Sequence, residues 1–231
     1  MSKKALVTGA SSGIGKAICE MLIESGWEVY GIGRNFEGTA SERANLHQIE
    51  LDLLSPSLEN IIFPILSDNK FELLVNNAGV GFYGLHEELN PKMIRTMVRT
   101  NLEVPMILTN LMLRDLKAHS GRIINISSVT ATESNPHGVA YGATKAGLRS
   151  FGMSLFDEAR KYGLKVTTIM PDMTDTNLYR NADFTVDDDY MAYLEPDEVA
   201  DTVRYVLECP PNQVLTEVTL KPQYKRIKRK S

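Results

Sequence analysis

Two side chains in the second half of the chain have the types and the spacing for proton transfer. Tyr141 and Lys145 are four residues apart, and Ser128 precedes them. On a helix, residues i and i+4 share a face, so a phenol can lie beside an ammonium. A free tyrosine has a pKa of about 10, and a nearby cation lowers it by stabilising the phenolate. The pair therefore predicts a tyrosine with a lowered pKa that acts as a general acid or base, although a solvated surface pair has the same spacing.

A glycine-rich segment near the start of the chain has the pattern of a phosphate-binding turn. The apolar run Lys4–Thr8 leads into Gly9-Ala-Ser-Ser-Gly-Ile-Gly15, and an amphipathic stretch follows as far as Gly26. Glycines let the backbone approach a pyrophosphate closely, and the N–H groups at a helix N-terminus bind its charge. Strand, glycine turn and helix, in this order, are what a dinucleotide-phosphate site requires. An ordinary tight turn is the alternative for the glycines alone.

Length and composition limit the classes of protein to which the chain can belong. Its 231 residues are 43% hydrophobic and 23% charged, which fits one α/β domain spanning residues 1–231. No apolar run approaches the roughly 20 residues of a membrane span, and the start lacks a signal-peptide pattern. Cys19 and Cys209 have no paired spacing, and the four histidines form no ligand motif. We therefore expect a cytoplasmic protein with reduced thiols, no metal and no membrane partner.

The last residues are strongly basic. Six cations and no acid lie between Lys221 and Lys230, in a chain whose formal net charge is −4. We expect residues 221–231 to form a frayed, solvated tail. The alternative is a contact with an acidic partner or with the phosphate of a cofactor. Nucleic acid is not expected, because the rest of the chain is acidic.

Strand patterns alternate with helical patterns along the chain, which predicts a parallel sheet built from βαβ units. Helices are expected at about Asn101–His119 and Tyr141–Tyr162, and others begin at Pro91 and Pro196. Strands are expected at Lys4–Thr8, Glu28–Ile32, Leu46–Leu51, Glu72–Asn76, Arg122–Ser127, Lys165–Met170 and Val214–Leu220. Because ligands bind at the carboxyl ends of parallel strands, the motifs that follow these strands should converge on one edge of the sheet.

Taken in order, these motifs resemble those of the short-chain dehydrogenase/reductase superfamily, in its compact single-domain branch. The matching residues are Thr8–Gly15, Asp52, Asn76–Gly79, Asn101, Ser128 and Tyr141–Lys145. The resemblance implies a Rossmann-type, doubly wound, mostly parallel seven-stranded sheet with helices on both faces. It also implies NAD(P)-dependent hydride transfer between an alcohol and a carbonyl, and a homo-oligomer that is a dimer or a tetramer.

The resemblance implies catalytic roles for Asn101, Ser128, Tyr141 and Lys145. Tyr141 would exchange a proton with the substrate oxygen, and Ser128 would hydrogen-bond to that oxygen. Lys145 would bind the ribose hydroxyls of the nicotinamide and lower the pKa of Tyr141, and Asn101 would position a water that links Lys145 to solvent. The implied cofactor-binding residues are Gly9, Ser11, Ser12, Gly13, Ile14, Gly15, Arg34, Asp52, Leu53, Asn77, Ala78, Gly79, Tyr141, Lys145, Pro171, Thr174 and Thr176.

The end of the second strand bears on the choice of cofactor. Relatives that are specific for NAD(H) usually carry an acidic residue there, whereas this chain has Gly33 followed by Arg34. A guanidinium suits a phosphate dianion, so we predict that NADP(H) is preferred over NAD(H). A solvated loop charge is the alternative interpretation of Arg34.

The chain departs from the family pattern at Asp172, where relatives usually have a glycine after a proline. Asp172 can adopt the left-handed backbone angles of that glycine, and its carboxylate is a hypothetical stabiliser of the cationic oxidised cofactor.

The substrate pocket should be lined by residues 80–83, 129–138 and 172–194, with Tyr179 and Phe184 among its apolar walls. A small aldehyde, ketone or hydroxy acid fits at least as well as a long acyl chain. A non-catalytic NADP(H)-sensing regulator on the same fold stays open as a second class of function.

Overall fold

Short apolar runs form the strands, and the central ones are buried on both faces, as in other parallel sheets. The computed structural model describes residues 2–36 and 44–230 of the chain. In chain order the strands are β1 (Lys4–Thr8), β2 (Glu28–Gly33), β3 (Leu46–Glu50), β4 (Leu73–Asn76), β5 (Arg122–Ile126), β6 (Lys165–Pro171), β7 (Phe184–Thr185), β8 (Glu217–Leu220) and β9 (Lys228–Arg229). The sequence patterns predict all of these except the two-residue strands β7 and β9, with small shifts at the ends.

Within the described residues, seven of these strands form a parallel sheet in the order β3-β2-β1-β4-β5-β6-β8. β1 is flanked on both sides, because Ala5 pairs with Val29 of β2 and with Leu73 of β4. The direction of winding reverses between β1 and β4, and a crevice opens outside the carboxyl ends of the strands at such a point. The prediction of a Rossmann-type, doubly wound sheet is confirmed.

Helices cover both faces of the sheet. They are α1 (Gly13–Glu24), α2 (Leu58–Asp68), α3 (Pro91–Val98), α4 (Val104–Ala118), α5 (Val139–Ala159) and α6 (Pro196–Glu208). On one face, Ile18 and Leu22 of α1 share a buried cluster with Val199 and Val203 of α6. On the other face, apolar residues of α2, α4 and α5 form a second cluster. Over the described residues, we find no helix with the length and apolar character needed to cross a membrane.

Local sequence signals explain where several helices begin. The Asn90 side chain accepts a 3.0 Å hydrogen bond from the backbone N–H of Met93, and Pro91 occupies the first helical position. Both features favour the start of a helix. Before α6, the backbone N–H of Glu195 donates to the carboxylate of Glu198 at 2.7 Å, so an otherwise unpaired donor is satisfied.

The predicted helix Asn101–His119 is the later part of a longer helical run. α3 continues through a π-helical turn, Arg99–Glu103, into α4. Pro105 has no N–H to donate to the Asn101 carbonyl four residues earlier, which is the bond that a regular α-helix would require. The wider turn accommodates this loss and buries the Asn101 side chain. Turns of this type occur frequently at functional sites.

The basic C-terminal residues pack against the protein, which corrects the prediction of a frayed tail. β9 pairs with β7 in antiparallel fashion, and the Lys228 ammonium lies 2.8 Å from the Asp188 carboxylate. The physical reason is charge complementarity with the acidic residues 183–189, which the fold brings next to the tail. Ser231, the last residue of the predicted tail, lies outside the described residues.

Gly152 lies in α5 where this helix crosses the sheet, and its substitution tests that packing. Alanine usually stabilises a helix by about 1 kcal/mol relative to glycine. A Cβ at Gly152, however, would lie 2.6 Å from Thr168 Oγ1 and 3.0 Å from Asn125 Nδ2. We expect Gly152→Ala to lower the free energy of unfolding by about 1–3 kcal/mol, measured by urea denaturation. In the control Gly142→Ala the new Cβ meets nothing closer than 3.4 Å, so equal losses in both variants would contradict the argument.

Candidate functional site

The carboxyl ends of β1, β2, β4 and β5 open into a cleft with a cavity volume of about 230 Å³. Most of the predicted cofactor-binding residues line this cleft, although they come from loops that are distant in sequence. These residues are Gly9, Ser11, Ser12, Gly13, Ile14, Arg34, Asp52, Leu53, Asn77, Ala78, Gly79, Tyr141, Lys145 and Thr176. They meet because parallel strands end at the same edge of the sheet.

Gly15, Pro171 and Thr174 were predicted to bind cofactor but do not line the cleft. A Cβ at Gly15 would lie 2.1 Å from the Gly9 carbonyl oxygen, so the glycine makes room for the turn that precedes it. Pro171 ends β6, and Thr174 donates its hydroxyl to the Asp172 carbonyl at 2.9 Å. These three residues support the rim of the cleft from behind.

The glycine turn is held in place by the loop that follows β4. Thr8 Oγ1 accepts hydrogen bonds from the backbone N–H groups of Asn77 and Ala78, both at 3.0 Å. The Asn77 side chain in turn donates to the Thr8 carbonyl at 2.8 Å. Gly9 has a φ of +69°, which other residues rarely adopt. The turn is therefore fixed in front of α1, whose N-terminus attracts an anionic group.

Lys145 is an enclosed cation at the junction of α5 and β5. Its ammonium donates a 2.8 Å hydrogen bond to the Ile126 carbonyl, and Ser127 Oγ donates to the Lys145 carbonyl at 2.9 Å. The residue is 3% exposed, and burial lowers its pKa to about 8. Loss of hydration disfavours the charged amine, so Lys145 titrates closer to neutrality than a free lysine does.

Tyr141 lies one helical turn before Lys145 and is buried. Its hydroxyl is hydrogen-bonded to Ser128, and the Lys145 ammonium is 5.8 Å from the centre of its ring. Burial raises the pKa of Tyr141, the nearby Tyr179 raises it further, and the bond to Ser128 opposes the rise. Lys145 alone therefore does not lower this pKa, and the predicted lowering, which also needs the positive charge of an oxidised nicotinamide ring, stays a prediction for the protein with cofactor bound. The lysine pairs with the Ile126 carbonyl, and burial of the phenol outweighs its charge.

The Tyr83 ring packs against Tyr141 and joins it to two further aromatic side chains. The Tyr83 ring centre is 5.6 Å from that of Tyr141, 6.2 Å from that of Tyr179 and 5.2 Å from that of Phe184. Tyr179 and Phe184 are 5.5 Å apart, so the rings form one cluster. Burial raises the pKa of Tyr83 and raises that of Tyr179 to about 12, so both stay neutral. The cluster therefore contacts Tyr141 through Tyr83.

Asn101 lies behind the cleft, and its side chain makes three hydrogen bonds to other protein atoms. Its Oδ1 accepts from the Val80 N–H, and its Nδ2 donates to the Val80 carbonyl, both at 2.9 Å. Nδ2 also donates to Thr144 Oγ1 at 3.0 Å, and that hydroxyl donates to the Tyr141 carbonyl at 2.7 Å. Asn101 therefore ties the loop after β4 to the first turn of α5. Its predicted role in holding a water stays a prediction.

The far end of the cleft carries the residues that bear on cofactor choice. A Cβ at Gly33 would lie 2.9 Å from both Cβ and Oγ of Ser11. A carboxylate side chain therefore cannot occupy this position without displacing the glycine turn. Arg34 follows on the exposed rim of the cleft. Asp52 faces it across the cleft wall, and one of its oxygens accepts a 2.9 Å hydrogen bond from the Leu54 N–H.

Asp172 does not adopt the left-handed backbone angles proposed for it. In the described part of the chain, Ser120 is the one residue other than glycine with a positive φ. The Asp172 N–H donates to the Leu220 carbonyl of β8, and its carboxylate accepts from the Met173 N–H, both at 2.9 Å. Continued pairing with β8 holds the backbone extended, so the turn that relatives make with glycine is made differently here.

Some cleft residues carried no motif in the sequence. Thr96 and Thr100 come from α3 and the π-helical turn, and their i, i+4 spacing could have identified them once that helix was assigned. Leu178 and Arg180 come from the short helical turn after Thr176. Both residues fall within residues 172–194, which were expected to line the substrate pocket, but neither was predicted to line the cofactor cleft.

Comparisons with known proteins agree with the geometry. A model of the short chain dehydrogenase family matches residues 3–186 of the chain. The serine 3-dehydrogenase of Rhizobium radiobacter is 31% identical over 235 residues, which cover 96% of this chain and 94% of that protein. The match to the relative extends over nearly all of both sequences.

Solved structures have the same fold. An alcohol dehydrogenase from the archaeon Thermococcus sibiricus, complexed with 5-hydroxy-NADP, is similar with a TM-score of 0.87 at 25% identity, over 98% of this chain and 99% of that chain. A 4-hydroxyisoleucine dehydrogenase complexed with NADH has a TM-score of 0.84 at 21% identity, over 96% of this chain and 98% of that chain. At the latter identity the likeness shows the fold alone.

The lowered pKa of Lys145 predicts how stability depends on pH. Between the folded pKa of about 8 and the ordinary value of 10.5, the unfolded chain binds more protons than the folded chain, so stability rises with pH. Lys145→Met removes this titration and is close in size. The stability advantage of the variant over the native protein should therefore shrink by about 2–3 kcal/mol from pH 7 to pH 10, measured by urea denaturation. Parallel pH curves for the two proteins would refute the enclosed-cation assignment.

Proposed function

The chain belongs to the short-chain dehydrogenase family, and from that premise we propose an NADP(H)-dependent oxidoreductase that interconverts a carbonyl and an alcohol, with Tyr141 as its general acid/base. The observation that carries this proposal is the position of the Tyr141 hydroxyl beside Ser128, with Lys145 one turn further along α5. Tyr141 and Lys145 line the same cleft as the glycine turn, and Ser128 follows directly after Ser127, which also lines it.

The cleft fits a dinucleotide. The glycine turn and the hydroxyls of Ser11 and Ser12 would hold a diphosphate at the N-terminus of α1, and a Cβ at Gly33 would intrude on that turn. Gly79 and Lys145 both line the cleft, so a ribose hydroxyl of the bound dinucleotide would meet the Lys145 ammonium there. The bound nicotinamide would supply or accept the hydride.

The protein would handle the proton. Ser128 would hydrogen-bond to the substrate oxygen and Tyr141 would donate its proton to that oxygen as negative charge develops there. At neutral pH the raised pKa keeps Tyr141 protonated, and Lys145, with a pKa of about 8, is largely an ammonium. This resting state suits reduction of a carbonyl. Oxidation would require a phenolate, which needs a further cation close to the ring.

Two features support NADP(H) over NAD(H). Gly33 stands where an acidic residue would repel a 2′-phosphate, and the close contact with Ser11 prevents a larger side chain there. Arg34 lies next to it on the cleft rim and can pair with a phosphate dianion. Asp52 and Leu53 would flank the adenine on the opposite wall.

The remaining partners follow from the same proposal. The substrate would be a small carbonyl or alcohol, and the protein would be a cytoplasmic homo-oligomer. Both cysteines, Cys19 and Cys209, are free, which is consistent with a reducing compartment. A non-catalytic NADP(H) sensor remains the alternative, but a sensor has no need of the complete set of Asn101, Ser128, Tyr141 and Lys145.

The proton-transfer role is tested with Tyr141→Phe. NADPH oxidation is followed with small aldehydes, ketones, keto acids and acyl thioesters, and NADP⁺ reduction with L-serine and other hydroxy acids. We expect turnover to fall by at least about 100-fold in the variant, because general acid catalysis contributes roughly that factor or more. NADPH affinity, measured by fluorescence, should change little. Tight NADPH binding without turnover on any substrate would favour the sensor.

The cofactor preference is tested with Arg34→Asp. We expect the ratio of kcat/KM for NADPH to that for NADH to fall by at least about 100-fold, since an attractive charge becomes a repulsive one next to the 2′-phosphate. The control Arg160→Asp changes the same charge at the end of α5, outside the cleft. An unchanged ratio in Arg34→Asp would remove the basis for the NADP(H) assignment.

A further inference from the structure

The basic residues 221–230, called the strap below, lie against the acidic residues 177–189, called the wall segment. β9 of the strap pairs with β7 of the wall segment, with Arg229 opposite Phe184 and Lys228 opposite Thr185. Beyond this pair, the Lys230 N–H donates to the Asp183 carbonyl at 2.8 Å. The ion pairs that join the two segments are Arg226–Asp189, Lys228–Asp188 and Arg229–Asp183.

The wall segment carries two aromatic rings, Tyr179 and Phe184, that pack against Tyr83, and the Tyr83 ring in turn packs against Tyr141. Phe184 belongs to β7 itself, and the Lys230 ammonium donates to the Tyr179 carbonyl at 2.6 Å. The Tyr179 hydroxyl bonds to the Thr174 backbone N–H, which anchors the other end of that side chain. A continuous set of contacts therefore runs from the strap, through Tyr179 and Phe184, to the catalytic tyrosine.

The strap is also attached on the opposite side of Tyr141. Lys221 forms an ion pair with Glu133, and Lys225 lies 3.9 Å from the same carboxylate. Glu133 belongs to the loop after Ser128, and this loop is expected to form the other side of the substrate pocket. The strap therefore connects the two sides of the predicted pocket. Its first residue, Lys221, pairs with Glu133, and Arg229 near its end pairs with Asp183.

We propose that the strap is a positioning element that holds the wall segment over Tyr141, so that the substrate meets a pocket whose apolar wall is already formed. This inference rests on the proposed function. If the wall segment is ordered before the substrate binds, none of the binding free energy is used to order it, and the substrate binds more tightly. Closure also keeps water away from the reacting oxygen.

The strength of these contacts suits a segment that must open for each turnover. Both partners of the Arg229–Asp183 pair are more than half exposed, with side-chain exposures of 66% and 69%. Exposed ion pairs are weak individually and are screened by salt. An isolated pair of two-residue strands is marginal by itself. The strap can therefore release the wall segment without disturbing the sheet.

The kinetic test uses Arg229→Glu with the substrate found in the turnover screen. We expect KM for that substrate to rise roughly fivefold, the largest effect typical of an exposed ion pair. The kcat value and the affinity for NADPH should stay within about twofold, because neither the catalytic groups nor the cofactor contacts change. The double variant Asp183→Arg, Arg229→Glu restores the pair with reversed charges and should restore KM. Arg160→Glu, which breaks the exposed pair with Asp157, is the matched control.

Amide hydrogen exchange tests the strap without any substrate. Arg229→Glu and high salt should each accelerate exchange in residues 177–189, while α5 and the central strands stay protected as in the native protein. Unchanged exchange in the wall segment, or a KM that stays the same or falls, would overturn the proposal. Faster exchange in a protein that turns over no substrate would support the strap and reject the proposed function, so the two failures are distinguishable.

Discussion

The whole site depends on one buried charge. An ammonium out of contact with water requires a polar partner, and for Lys145 the Ile126 carbonyl supplies it at the end of β5. This bond fixes the rotation of α5 against the sheet. Once Lys145 faces the strand end, Tyr141, one turn earlier, must face the same edge. Ser128, two residues beyond Ile126, then falls beside the Tyr141 hydroxyl. Another rotation of α5 would separate all three groups.

The predictable parts of this arrangement have local causes. The segment Lys4–Gly15 specifies strand, turn and helix without reference to the rest of the chain. Asn90 and Pro91 mark a helix start by themselves, because the cap and the proline act within one turn. The winding of the sheet follows from the alternation of strands and helices and from the right-handed crossovers that connect parallel strands. The gathering of the cleft residues follows from that winding.

The parts that the sequence did not predict depend on distant contacts. The pKa of Tyr141 is raised because Tyr179 and other rings bury it, and no spacing within α5 contains that information. Asp172 keeps an extended backbone because it still pairs with β8. A run of cations such as residues 221–230 indicates a solvated tail until residues 183–189 are known to lie beside it. The π-helical turn could not be predicted from a single residue, because it depends both on the missing N–H group of Pro105 and on the burial of Asn101.

The packing of α1 against α6 has a consequence for the chain while it is being synthesised. Ile18 and Leu22 of α1 are covered by Val199 and Val203 of α6, and residues 25–195 must leave the ribosome before that cover exists. The opposite layer closes sooner, since α2, α4 and α5 all precede α6. A nascent chain therefore exposes one apolar face of its sheet until α6 has been synthesised. Uncovered surface of this kind promotes aggregation, so this is the face on which a growing chain most needs a chaperone.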